Sequence, residues 1–202
     1  MLQLVKKDFV IHKIMLCVML AALILYIIAD TSTIFLGILF SFAMTMHIFA
    51  PDEKRSVQIL LSSLPVTRKE IVSSKYIAAF LYISFVVFGL IAGNFIIHQE
   101  QPNWTHLSFI MVVSLLSVAI FYPICYKFTS KFLMIICVVG FVIYLLIVNV
   151  FIRDLNDQFR AIVSKIMTLM ESPTIVFPLI IALILYSVSW LVSVKIYEKK
   201  VF

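Results

Sequence analysis

Residues 76–99, YIAAFLYISFVVFGLIAGNFIIHQ, contain no Asp, Glu, Lys or Arg. A helix needs about 20 apolar residues to cross roughly 30 Å of hydrocarbon, and in lipid a helix satisfies its own backbone. The run is therefore read as a transmembrane helix. Outward from it, the segments 31–51, 101–126, 132–152 and 172–194 are equally free of charge and reach the same length. The segment 14–29 falls short, but Lys13 can snorkel at its inner end. Only 13% of the 202 residues are charged and 63% are hydrophobic, against about a quarter charged in soluble domains. The expectation is a single all-α integral membrane domain over 1–202. Its six transmembrane helices fall at about 14–29, 33–50, 76–97, 107–126, 132–152 and 174–194.

The basic residues set the orientation. With both termini cytoplasmic, the inner segments hold Lys6, Lys7 and Lys13, then Lys54, Arg55, Arg68, Lys69 and Lys75, then Lys127 and Lys131, then Lys195, Lys199 and Lys200. Arg153, Arg160 and Lys165 are left outside, all in one long loop. The formal charge of +6 is thus topological, and nucleic-acid binding is a poor explanation of it. The expected location is a membrane crossed several times, with both termini on its cytoplasmic side. Asp8 interrupts the basic N-terminal region and no small-residue cleavage site follows, so the first span is not read as a cleavable signal. Cys17, Cys125 and Cys137 all fall within spans, which excludes a disulfide framework and reads as buried small hydrophobes.

Residues 1–13, MLQLVKKDFVIHK, place Leu2, Val5 and Phe9 opposite Lys6 and Lys13. This reads as an amphipathic elbow helix in the inner interface, with Lys6, Lys7 and Phe9 as its marker residues. Asn103, after Pro102, reads as the N-cap of span four. In 153–171, Leu155, Phe159, Ile162, Ile166 and Leu169 alternate at spacings of four and three. That stripe predicts an extracellular amphipathic helix. It can rest on the outer mouth of the bundle, on a second copy, or on lipid.

Between spans two and three lies PDEKRSVQILLSSLPVTRKEIVSSKY (51–76), with Asp52, Glu53, Lys54, Arg55, Arg68, Lys69, Glu70 and Lys75. Val57, Leu60, Leu61 and Leu64 form one apolar stripe of a short helix. Pro65 closes it, because proline disfavours helix in the residue before it and lacks an amide hydrogen. Thr67 and Glu70 have capping-box spacing, and Val66 and Ile71 that of a hydrophobic staple. The segment 51–75 is therefore expected to be a helix, a break and a second helix rising into span three. A solvated loop that merely sets topology is the plain alternative. The caps and the exposed leucines argue instead for docking of a soluble partner.

This stretch resembles the loop of bacterial type-2 ATP-binding-cassette (ABC) exporter permeases. There, an acidic-basic segment leads into a Leu-Leu-Ser-Leu-Pro-Val-x-Arg-Lys-Glu-Ile-Val pattern and then the third span. The likeness is specific over roughly 52–77 and extends elsewhere as the six-span topology and the N-terminal elbow. Arg55-Ser56 stands where many members carry glycine. The resemblance implies a cytoplasmic coupling helix docked in a groove of a separate ABC ATPase. Glu53, Arg55, Leu60, Leu61, Leu64, Pro65, Arg68, Lys69 and Glu70 are the implied contacts. It also implies a second permease subunit, identical or not, and ATP with Mg²⁺ held by the partner ATPase. The chain is similar to the small permeases of phenol-soluble-modulin and bacteriocin-immunity exporters, so the resemblance implies a bacterial cytoplasmic membrane as location and amphipathic peptides or peptide antibiotics as cargo.

The chain contains no GxxxxGK[ST] pattern and only four glycines, so no phosphate-cradling loop and no catalytic residues are expected in it. Gly89 and Gly93 form a GxxxG suited either to packing within the bundle or to a dimer seam. His47 has no further His, Asp or Glu within the spans to join it, and His12, His98 and His106 sit at interfaces. No metal site is expected, and His47 reads as a hydrogen-bonded interface residue. Asn94 and Asn149, near the outer ends of their spans, are candidate pathway residues. The lack of intramembrane charge counts against an ion- or proton-coupled carrier. A non-transport assembly or sensor subunit, whose loop binds another soluble protein, is the rival reading.

Overall fold

The computed structural model describes residues 2–29, 32–48, 67–97, 99, 101–128, 155–169 and 176–199, with positions 132, 135–136, 138–140 and 142–143 between them. The side chains of 2–6, 8–9, 155–160 and 169 lie outside that description. Every element among the described residues is helical: α1 (Leu2–Ile28), α2 (Thr33–His47), α3 (Arg68–Ile97), α4 (Trp104–Lys127), α5 (Leu155–Leu169) and α6 (Val176–Glu198). Four of these helices are long and apolar enough to cross a bilayer, at Val10–Ile28, Arg68–Ile97, Trp104–Lys127 and Val176–Glu198. The described part of α2 is a shorter apolar helix. The expected fifth span, 132–152, falls largely outside the described residues; its described positions are helical and exposed. The expected elbow segment and the first span form one uninterrupted helix, α1.

The long helices α3 and α4 hold the centre. α4 packs most extensively on α6, α1 packs on α3, and α2 lies against both α3 and α4. Their shared core holds Tyr82, Tyr122, Ile83, Ile110, Leu115 and Val86, all fully buried. The periphery is just as oily: Ile14, Phe88 and Phe177 are about 70% exposed (71%, 68% and 69%). Such a surface suits a hydrocarbon solvent, where apolar side chains need no protein cover.

Two glycines permit close helix approach. A Cβ on Gly93 would stand 2.5 Å from the Ile27 Cδ1 atom, and Gly89 faces Leu20 and Leu23. The GxxxG therefore seats α1 on α3 within one chain. A Cβ on Gly37 would meet Ile110 at 2.6 Å, which brings α2 equally close to α4. Asn103 caps α4 as its position predicts, its Oδ1 accepting from the amides of Thr105 (3.1 Å) and His106 (3.3 Å).

One expectation needs correction. Cys17 is exposed, while Cys125 is buried as expected and Cys137 lies outside the described residues. α1 touches the bundle along one side only, so a residue within its span can still face outward. The outer helix α5 is present, and it contacts the bundle through α4. Val163 and Met167 pack against the core, while Ile162 and Ile166 of the expected stripe remain 55% and 43% exposed. An apolar face wider than 100° has two edges, and the bundle takes only one of them.

Candidate functional site at the start of the third span

The charged stretch re-enters the described structure at Thr67, so Glu53, Arg55, Leu60, Leu61, Leu64 and Pro65 lie outside it. At Thr67 the chain enters α3 through a reciprocal cap. The Thr67 amide donates to Glu70 Oε2 at 2.9 Å, and the Glu70 amide donates to Thr67 Oγ1 at 3.2 Å. The Thr67 hydroxyl closes the ring by donating to the same carboxylate at 3.0 Å. This reciprocal pair satisfies two amides that the start of a helix otherwise leaves orphaned. Hydrogen bonds from the Thr67 backbone and side chain hold the Glu70 carboxyl below its ordinary range.

The basic residues next to the cap turn inward upon the bundle. Arg68 Nη1 donates to the carbonyls of Tyr197 (3.3 Å) and Glu198 (2.8 Å), the last turn of α6. Lys75, only 3% exposed, donates from Nζ to the carbonyl of Ile48 at 3.3 Å, the C-cap residue of α2. Helices end with unpaired carbonyls and the negative pole of their dipole, where cations are stabilising. The first turns of α3 thus place one cation on the C-terminus of α2 and another on that of α6. Between these anchors, Lys69 Nζ lies 5.3 Å from the Trp190 ring centroid, within cation–π range.

A buried polar seam continues from there. The Trp190 indole donates from Nε1 to Ser73 Oγ at 3.0 Å, and Ser73 donates to the Lys69 carbonyl. The Tyr76 hydroxyl sits 2.8 Å from Ser189 Oγ and 2.7 Å from Ser193 Oγ. Tyr186 donates its hydroxyl to the Tyr76 carbonyl at 2.6 Å. Ser189 in turn donates to the carbonyl of Ala119 on α4 at 2.7 Å. A hydroxyl has one hydrogen, so Ser189 must accept from Tyr76, and Tyr76 must accept from Ser193. The chain of donors therefore runs from Ser193 through Tyr76 and Ser189 to Ala119. Tyr122 on α4 meets the Tyr76 ring edge-on at 5.1 Å and donates to the Thr45 carbonyl on α2. One end of α3 is thereby bound to α2, α4 and α6 at once.

Three of the predicted contact residues, Arg68, Lys69 and Glu70, come together here and have intramolecular partners. Asn94 lies far along the same helix, half-buried; Asn149, Lys6 and Phe9 fall on positions or side chains outside the description, and Lys7 is half-buried. The residues that sequence reasoning did not single out are Tyr76, Tyr122, Tyr186, Ser189, Trp190 and Ser193. A signal was present: Ser73 and Tyr76 stand at i, i+3, and Tyr186, Ser189, Trp190, Ser193 and Tyr197 follow one helical face of an otherwise apolar segment. Such stripes pair across helices in lipid. Among the described residues, no three of His, Cys, Asp or Glu converge on a metal-sized site.

The model for the family described as ABC-2 family transporter protein matches residues 3–198 of the chain. No curated protein and no solved structure matches it.

Proposed function

Because the chain belongs to the ABC-2 transporter family, whose members are membrane components of ABC transporters, we propose that it is the permease subunit of an ATP-driven exporter. A separate ABC ATPase docks on the cytoplasmic stretch 51–75, and ATP with Mg²⁺ stays on that partner. A second permease, identical or not, completes the pathway. The observation that carries the reading is the tethering of the start of α3. The docking stretch runs directly into a capped helix whose first turns are hydrogen-bonded to α2 and α6, and through Ser189 to α4.

That arrangement gives a lever its fulcrum. A push on the stretch before Thr67 reaches a helix end that cannot tilt without moving α6 or breaking buried hydrogen bonds. Such bonds are costly to leave unmade in a low-dielectric interior. Export of amphipathic peptides or peptide antibiotics suits a bundle whose spans carry apolar and hydroxyl groups in place of buried acids. The test is pull-down from membranes. Leu61→Asp combined with Leu64→Asp is expected to leave the protein membrane-inserted while an ABC ATPase no longer co-purifies. Undiminished co-purification would refute docking through this loop.

A further inference from the structure

We propose that the facing ends of α1 and α2 form a binding site for one soft monovalent metal ion, Cu(I) or its redox-inert analogue Ag(I). The donors are His12, Met15 and Met19 of α1 with Met44 and His47 of α2. These five side chains, with Leu16 and Tyr82, line one cavity of ≈ 10 Å³, about the space a single water-sized sphere requires. The spacing explains the convergence. α1 carries His-x-x-Met at 12–15 and α2 carries Met-x-x-His at 44–47, each pair on one helical face. The start of α1 meets the end of α2, so the two helices run antiparallel and the motifs meet imidazole to imidazole.

The geometry and chemistry agree on the ion. The His12 and His47 rings stand nearly perpendicular, their planes 79° apart and their centroids 6.0 Å apart. Imidazole nitrogens bind metals at about 2.0–2.1 Å, so two rings sharing one ion in a bent arrangement have centroids about 6 Å apart. His12 is buried at the base, at 7% exposure, and His47 is exposed at the rim. Thioether and imidazole donors select Cu(I). Among the described residues no carboxylate or thiolate lines the cavity, and with these donors Mg²⁺ and Ca²⁺ lack their oxygen ligands and Zn²⁺ its usual anionic ones. Neutral donors also leave only a single positive charge to bury, the smallest desolvation cost a metal ion can present. The expectation of no metal site counted His, Asp and Glu; here three methionines complete the set that two histidines begin. A bound ion would tie α1 to α2 beside Ile48, just before the docking stretch.

Thiols also hold Cu(I), so the test uses the full chain with Cys17, Cys125 and Cys137 replaced by alanine. The chain is purified in detergent under reductant. Competition against a chromophoric Cu(I) chelator should give one ion per chain, and Ag(I) should raise the unfolding temperature, as any ligand selective for the folded state does. His12→Phe and Met44→Leu should each weaken binding by about tenfold or more, at least the loss seen when a ligand's supporting partner is removed. Met46→Leu, on α2 but outside the cavity, should leave binding unchanged. If His12→Phe does not fold, His47→Ala at the exposed rim takes its place. Binding as tight in the Met44→Leu/His47→Ala double variant as in the parent would overturn the site. A coordination shell of oxygen alone by X-ray absorption would do the same.

Discussion

Ser189 on α6 donates its hydroxyl hydrogen, at 2.7 Å, to the Ala119 carbonyl on α4, the acceptor that Pro123 leaves without its helical partner. In an α-helix the amide of residue i bonds to the carbonyl of residue i−4, and proline has no amide hydrogen. Pro123 lies inside α4, so the freed carbonyl is the one four residues before it. The break in one helix thus becomes the attachment point of another. The same serine is the link through which Tyr76, at the start of α3, is tied to α4.

This pairing predicts a specific non-additivity. Ser189→Ala removes the donor to Ala119 and the acceptor for Tyr76, and should destabilise the bundle by about 1–3 kcal/mol, the cost of buried polar groups left unpaired. Pro123→Ala restores an amide that can bond to Ala119 within α4. In the Pro123→Ala background, Ser189→Ala should therefore cost less, with a coupling energy of about 0.5 kcal/mol or more. Thermal unfolding of the four proteins in one detergent reads the cycle. Strict additivity would mean that the proline and the serine are unrelated.

Arg68 separates anchoring from docking. Its guanidinium donates to two carbonyls of α6 from one nitrogen, Nη1, held by a planar, pre-organised head that the flexible lysine ammonium does not match in reach or orientation. Arg68→Lys keeps the charge toward an approaching ATPase but holds the two α6 carbonyls less firmly, on a shorter and more flexible side chain. The expected result is retained ATPase co-purification with reduced transport or resistance. If co-purification falls in Arg68→Ala and returns fully, with transport, in Arg68→Lys, then charge toward the partner is the role of this residue and the α6 anchor is incidental.

What was legible in the sequence is what depends on neighbours along the chain. The Thr67–Glu70 box and the Asn103 cap follow from residues three apart or fewer, and the helix of 153–171 from one periodicity. The partners of Gly93 and Tyr76 depend on which helices lie side by side and at what height. Nothing local specifies that Gly93 meets Ile27, that Ser189 lies level with the carbonyl freed by Pro123, or that His12 turns toward His47. Hydrophobic runs identify spans because lipid imposes one length on all of them, and for the same reason they say little about which span touches which.

Glu70 yields a pH prediction. Its carboxyl is held below the ordinary value of 4.5 by the Thr67 amide and hydroxyl. A depressed folded-state value means the contribution is complete above the unfolded value and is lost as pH falls through the folded one. The cap should therefore be insensitive to pH between 6 and 8 and fail only in acid, below about 4.5. Glu70→Gln retains the capping box, since glutamine also serves at that position, and should co-purify with the ATPase as the parent does. Glu70→Ala should not. Equal loss in both variants would assign Glu70 a charge contact with the partner instead.

Gly93 tests whether the α1–α3 seam belongs to one chain. A Cβ there would stand 2.5 Å from Ile27 Cδ1, the far end of a flexible side chain, whereas Gly89 has its nearest neighbours at 3.9 Å. Gly89→Ala should be nearly silent. Gly93→Ala requires Ile27 to change rotamer, and Gly93→Val should overpack the seam, costing about 1–3 kcal/mol. Shortening the neighbour, as in Ile27→Ala with Gly93→Val, should recover part of that loss because space is exchanged across one contact. All of these effects should appear in thermal unfolding and be independent of protein concentration. A Gly93→Val defect that shifts the monomer–dimer balance without lowering the unfolding temperature would place the GxxxG between two copies of the chain instead.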